Sequence, residues 1–252
     1  TILGCSGSVP SPNNPASGYL VSFPDAPSIL MDLGPGTFAA LQEIQDPCDA
    51  HLTFSHLHAD HCTDFPSLMV WRRFHPDAPA ASRNFMFGPH DAPTHLGRMS
   101  ADHIDEVDDF SDSFAFSAWE HGKRELIDDV YMTPFHAIHP IEAFSLRMEH
   151  TKTGKVICYT GDTAYTEDLV PAANNADIFL AEAAWGCEAE GRPQGMHMSG
   201  NQAGRLATLA DVKKLVLVHL QPWSDPQSTL DAARSEFDGE IVLGAPGMEF
   251  EL

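Results

Sequence analysis

Short apolar runs alternate with amphipathic stretches along the whole chain. Tyr19–Phe23 and Ser28–Asp32 flank Pro24-Asp25-Ala26-Pro27 and predict two strands around a turn. Thr37–Gln45 follows Gly34-Pro35-Gly36 and predicts a helix. Ala50–Phe54 predicts a strand, Asp64–Phe74 a helix, and Asn84–Phe87 a strand that stops at Gly88-Pro89. Further strands are expected at Tyr131–Ile138, Ala143–Glu149, Lys155–Tyr159 and Asp177–Ala181. Ser199–Ala210 reads as a helix capped by Ser199. Lys214–His219 then predicts a strand, Ser224–Phe237 a helix and Glu240–Leu243 a final strand. Leu215-Val216-Leu217-Val218 is apolar at successive positions, which places its sheet under cover on both faces. Strands followed by mixed strands and helices occur twice. The expected class is therefore α/β: two packed sheets with helices outside, as one domain over residues 1–252. Thr1 already lies in the strand-like run Thr1–Gly4, so further residues are expected before it.

Composition narrows the function. Apolar residues make up 43% and charged residues 20% of the 252, an ordinary globular balance. No run approaches the roughly 18 to 20 apolar residues that span a bilayer, and no membrane association is expected. Five cysteines without a CxxC pair predict free, mostly buried thiols and a reducing cytoplasm rather than a disulfide framework. The formal charge of −22 repels nucleic acid and anionic lipid. An anionic substrate then needs a local positive focus, which bound cations supply.

The strongest chemical signal is Ser55-His56-Leu57-His58-Ala59-Asp60-His61. It concentrates three histidines and an aspartate directly after a predicted strand. Imidazole and carboxylate are ligands for zinc, manganese or iron. One intervening residue lets His56 and His58 chelate one ion, while Asp60 and His61 open the next helix and face a second. Three strand-end residues complete the candidate set: His139, Asp162 in Thr160-Gly161-Asp162-Thr163, and His219.

This constellation resembles the metallo-β-lactamase superfamily over nearly the whole chain, from Leu3-Gly4-Cys5-Ser6-Gly7-Ser8 and Met31-Asp32-Leu33-Gly34 to Val218-His219-Leu220. The resemblance implies an αββα sandwich, two mixed sheets flanked by helices, with two divalent ions, zinc foremost, at one edge. One ion would be held by His56, His58 and His139, and the other by Asp60, His61 and His219. Asp162 would bridge them, and Asp60 would also orient the nucleophile. An aspartate at the bridge is similar to the phosphodiesterase and ribonuclease Z branch. Ala181-Glu182-Ala183 and His197-Met198-Ser199 point the same way, with His197 at the leaving oxygen and Glu182 as its partner.

Within that branch the chain resembles the actinobacterial cyclic-nucleotide phosphodiesterases. The shared-looking strings are Gly4–Val9, Pro15–Leu20, Val70–Pro76 and Glu182-Ala183-Ala184-Trp185. The implied substrate is a small phosphodiester such as 3′,5′-cyclic AMP, with ribonuclease Z-like RNA 3′ processing as the alternative. The segment between Gly88-Pro89 and Tyr131, expected as a strand-turn-helix excursion, is acidic where a transfer-RNA arm is basic, which disfavours RNA. Trp185 and Tyr165 are candidates for stacking on a base, with core packing as the competing role. Arg72 and Arg73 are expected on an exposed helix face, with phosphate contact as the alternative. The superfamily also allows a homodimer.

Overall fold

The computed structural model describes residues 1–252. One sheet contains β1 (Ile2–Gly4), β2 (Gly18–Val21), β3 (Ser28–Met31), β4 (Ala50–Thr53), β5 (Asn84–Gly88) and β6 (Phe114–Ala118), in that order. The other runs β13-β12-β11-β10-β9-β8-β7, from β7 (Glu125–Ile127), β8 (Val130–His136), β9 (Phe144–His150) and β10 (Val156–Tyr159) to β11 (Ile178–Glu182), β12 (Lys214–Val218) and β13 (Glu240–Leu243). Each sheet begins antiparallel and turns parallel, at β3·β4 and at β10·β11. Both are mixed.

Period-two alternation decides which side chains meet. Tyr19, Ile29 and Met31 point between the sheets, against Met132, Leu146, Tyr159, Leu180, Val216 and Val218. Their neighbours Leu20, Leu30 and Leu52 point outward, under α1 (Thr37–Gln42), α2 (Ala59–Cys62), α3 (Phe65–Phe74) and α4 (Ala92–Ser100), where Leu41, Phe65, Leu68 and Leu96 cover them. In the second sheet Phe179, Ala181, Leu215 and Leu217 face α5 (Val170–Ala173), α6 (Gly200–Leu209) and α7 (Pro226–Arg234). Strands apolar at every position are thus lined on both faces, and four layers result.

α6 and α7 touch closely. A Cβ on Gly200 would overlap the Thr229 carbonyl oxygen, and one on Gly204 that of Ala233, so glycine at this i, i+4 spacing sets the interhelical distance. Ser199 caps α6 with a full capping box to Gln202, and Asp225 caps α7 ahead of Pro226.

The fold corrects several expectations. Residues 89–130 place a helix first and strands later: α4, a single 3-10 turn at Phe110–Asp112, then β6 and β7. Both strands form sheet edges and are only partly buried, so their alternation is faint in the sequence. The helix expected to Gln45 ends at Gln42, and α7 covers Pro226–Arg234 rather than Ser224–Phe237. β8 ends at His136, leaving His139 in the loop beyond. Arg72 is 2% exposed rather than on an open face. Its guanidinium donates to the carbonyls of Cys48, Ser82 and Ser113 and to Asn84 Oδ1, and it lies 4.4 Å from the Phe114 ring centroid. Arg73 pairs with Asp108 and Asp112, which anchors the acidic segment to α3. Cys5, Cys62 and Cys158 are buried free thiols pushed up to about 12 by burial; Cys48 is half-buried and Cys187 exposed. No helix is long and apolar enough to cross a membrane.

Candidate metal centre

The seven candidate ligands meet at one edge of the sandwich. His56 and His58 leave β4 in an extended loop, and α2 starts at Ala59, so Asp60 and His61 fall in its first turn. Asp162 follows Gly161, whose φ of 56° suits glycine; a Cβ there would lie 2.9 Å from that of Ser55. His219 follows β12 with φ 56°, an unusual conformation for a non-glycine residue. It sits so close to the loop after β1 that a Cβ on Gly7 would overlap its carbonyl oxygen.

Four groupings of donor atoms result, two of them including His197 and two built without it. Of the two without it, His56, His58 and His139 form one set; Asp60, His61, Asp162 and His219 form the other. His58 Nδ1 and His139 Nε2 are 2.9 Å apart, and His61 Nε2 and His219 Nε2 3.3 Å. Asp162 faces both sets, with Oδ2 3.6 Å from His56 Nε2 and Oδ1 3.3 Å from His61 Nε2 and 3.4 Å from His219 Nε2. Asp60 Oδ2 lies 3.0 Å from His219 Nε2.

The donor set fits divalent cations. His56 Nε2 and Asp162 Oδ1 are sealed from water yet have no hydrogen-bond partner, a costly state unless something else binds them. Burial lowers His56, His58 and His139, the last to about 4, so all three offer lone pairs at neutral pH. His61 differs: burial opposes its charge, but Asp162, Asp60 and Asp32 outweigh it and raise it well above the usual range. The same carboxylates would favour a cation bound among them.

A residue without an assigned role in the sequence reading organises this centre. Asp32, fully buried with φ 59°, accepts from Ser55 N (2.7 Å), Ser55 Oγ (2.7 Å), His61 Nδ1 (2.7 Å) and Tyr159 Oη (2.8 Å). Because the Ser55 hydroxyl donates to Asp32, we assign the 3.0 Å contact of His56 Nδ1 to Ser55 Oγ as N–H donation. Asp32 thereby fixes two imidazoles with their Nε2 atoms directed into the centre, one in each set. The signal was its place at the end of an apolar strand run, which is indistinguishable in sequence from a capping or turn aspartate.

Beside the two donor sets stands a buried carboxylate–imidazole pair. Glu182, fully buried at the end of β11, accepts from Thr163 N and Ala184 N and from His197 Nδ1 at 3.0 Å. Burial works against charge on His197, but Glu182, then Asp162 and Asp60, raise it to about 9. Trp185 is 8% exposed and stands edge-on to His197, with ring centroids 4.8 Å apart. Tyr165 is tied to Glu167 at 3.1 Å with the Arg205 guanidinium over its ring. Both side chains are engaged in packing.

Comparison with known proteins agrees with this geometry. Residues 28–220 match the model of the β-lactamase superfamily domain. The uncharacterized protein ML1173 of Mycobacterium leprae is 41% identical over 252 residues, spanning all of this chain and 88% of that protein. Ribonuclease Z of Haloferax volcanii is 26% identical over 302 residues, covering all of this chain and 94% of the relative. Among solved structures, the metallo-β-lactamase fold protein YhfI of Bacillus subtilis superposes with a TM-score of 0.85 at 23% identity, covering 98% of this chain and 96% of its own. Yeast PDE1 shares the fold with a TM-score of 0.72 at 13% identity over 98% and 97% of the two chains. With a family match over most of its length and a centre built from histidine and aspartate, the chain belongs to the metallo-β-lactamase superfamily of metal-dependent hydrolases.

Proposed function

We propose that this centre hydrolyses a small phosphodiester, a 3′,5′-cyclic nucleotide such as cyclic AMP, with two divalent cations, zinc foremost. His56, His58 and His139 would hold one, Asp60, His61 and His219 the other, and Asp162 would share its two oxygens between them. Bound there, such ions supply an acidified water and offset the charge that grows on phosphoryl oxygens.

The observation that carries the reading is the Glu182–His197 pair beside both sets. A departing 3′ oxygen is a poor leaving group and needs a proton. Glu182 holds Nδ1–H, which leaves His197 Nε2 as the end that can deliver one; such a donor typically contributes 10²–10⁴-fold. Trp185 supports the ring edge-on and limits its rotation. Asp60, 3.0 Å from His219 Nε2, also orients the attacking water.

A small substrate also suits residues 89–130, which pack as α4, β6 and β7 and keep an acidic surface. The metal-loaded protein should be offered cyclic AMP, cyclic GMP, 2′,3′-cyclic nucleotides, bis(p-nitrophenyl) phosphate and precursor transfer RNA. Turnover of cyclic nucleotides is expected, and cleavage confined to transfer RNA would replace this reading with RNA processing. His58→Ala and Asp162→Ala should lose both metal and turnover. His197→Ala should lose rate while keeping its metal.

A further inference from the structure

An exposed tryptophan is linked by a chain of hydrogen bonds to His219. Trp223, 67% exposed, lies in the loop that follows β12 and His219. Its Nε1–H donates to Gln221 Oε1 at 2.9 Å. The other end of that amide, Nε2, donates to Ser8 Oγ at 3.1 Å, and Ser8 N lies 3.4 Å from His219 Nε2. Gln221 itself is 9% exposed, and the two loops are joined again by Gly7 N to Leu220 O at 2.9 Å.

Satisfaction of the indole does not explain this arrangement, because water would serve an N–H on so exposed a side chain. The bond to Gln221 fixes direction instead. It holds a broad aromatic face in solvent in one orientation, tied through two side chains to a residue of the cation sets. Preorganisation of this kind lowers the entropy cost of binding a flat partner. Trp185, against His197, is enclosed, and the Tyr165 hydroxyl is bonded to Glu167.

We infer that Trp223, held by Gln221 and Ser8, is the stacking platform for the nucleobase of the substrate and so a specificity-determining residue. The inference rests on the phosphodiesterase reading for its substrate and deepens it. Stacking on an aromatic side chain is sequence-tolerant and is worth roughly 5- to 150-fold in affinity per base. The platform therefore selects nucleotides over base-free diesters more than one base over another.

The test has two arms. First, metal-free protein is titrated with adenosine, which is uncharged and has no phosphate, and quenching of tryptophan fluorescence is followed beside equilibrium dialysis. Wild type should bind, Trp223→Ala should bind at least about fivefold more weakly, Trp223→Phe should recover most of the loss, and Gln221→Ala should fall between. Equal adenosine binding by wild type and Trp223→Ala, or no binding by either, overturns the platform. So does a Trp223→Ala variant that shifts oligomeric state in light scattering with adenosine binding intact. Second, metal-loaded protein is given cyclic AMP and a base-free ribose 3′,5′-cyclic phosphate. Trp223→Ala should collapse the KM ratio between them, and an equal rise in both KM values refutes stacking. If wild type turns over neither compound, the phosphodiesterase reading falls, and the adenosine titration still decides the platform.

Discussion

Replacing Asp32 by asparagine should disarm both cation sets without touching a ligand. The carboxyl accepts four hydrogen bonds within 2.7–2.8 Å. An asparagine fills the same space with one oxygen and one NH2 group. If the oxygen stays on Ser55 N, the NH2 group faces Ser55 Oγ, His61 Nδ1 and Tyr159 Oη. The two hydroxyls can turn their protons away. His61 cannot, unless Nδ1 becomes an acceptor and Nε2 takes the proton. The Ser55 hydroxyl, redirected to His56 Nδ1, pushes that imidazole into the same tautomer. Both Nε2 atoms would then present N–H where a cation needs a lone pair. Losing an outer partner of a metal-bound histidine typically costs 10- to 100-fold in metal affinity. Two imidazoles are affected here, so the upper end, about 2.8 kcal/mol, is expected. The measurement is competition between metal-free protein and a chromophoric zinc chelator, with thermal melts to verify folding. A folded Asp32→Asn protein that binds two zinc ions as tightly as wild type would refute the reasoning.

Three further outcomes concern stability. Arg72→Met leaves the buried Asn84 Oδ1 without its donor and removes the bonds to the Ser82 and Ser113 carbonyls. It should cost about 3 kcal/mol in urea denaturation, against about 1 kcal/mol or less for Arg73→Ala on the part-exposed pair with Asp112. Gly204→Ala forces a Cβ into the Ala233 carbonyl and should cost about 1–3 kcal/mol, lowering Tm, whereas the same change at Gly122, which has open space but φ 73°, should cost about 1 kcal/mol. Asp177 is opposed by burial but held down to about 2 by Lys213, Val156 N and Lys155. A depressed folded value stabilises fully above the unfolded value near 4 and loses that contribution as pH falls through about 2. Because both lysines are solvent-screened, the contribution is about 1 kcal/mol, and the gap in denaturation midpoint between wild type and Asp177→Asn should shrink from pH 5 to pH 3.

Features that depend on near neighbours were legible in the sequence. The His56–His61 spacing, the glycine before Asp162, the capping pattern at Ser199 and the unbroken apolar run Leu215–Val218 each express a local geometric rule, and the structure contains all four. Edge strands β6 and β7 were hidden because half-exposed strands lack strong alternation. What folding alone decided is which distant side chains share a space. Sheet register brings Asp32 beneath Ser55, His61 and Tyr159; packing turns Arg72 inward against four acceptors; and two loops far apart in the chain link Trp223 to His219. An aspartate, an arginine or a tryptophan reads alike in sequence whether it is solvated or organises a centre, because the partners that fix its role arrive through strand pairing and layer packing.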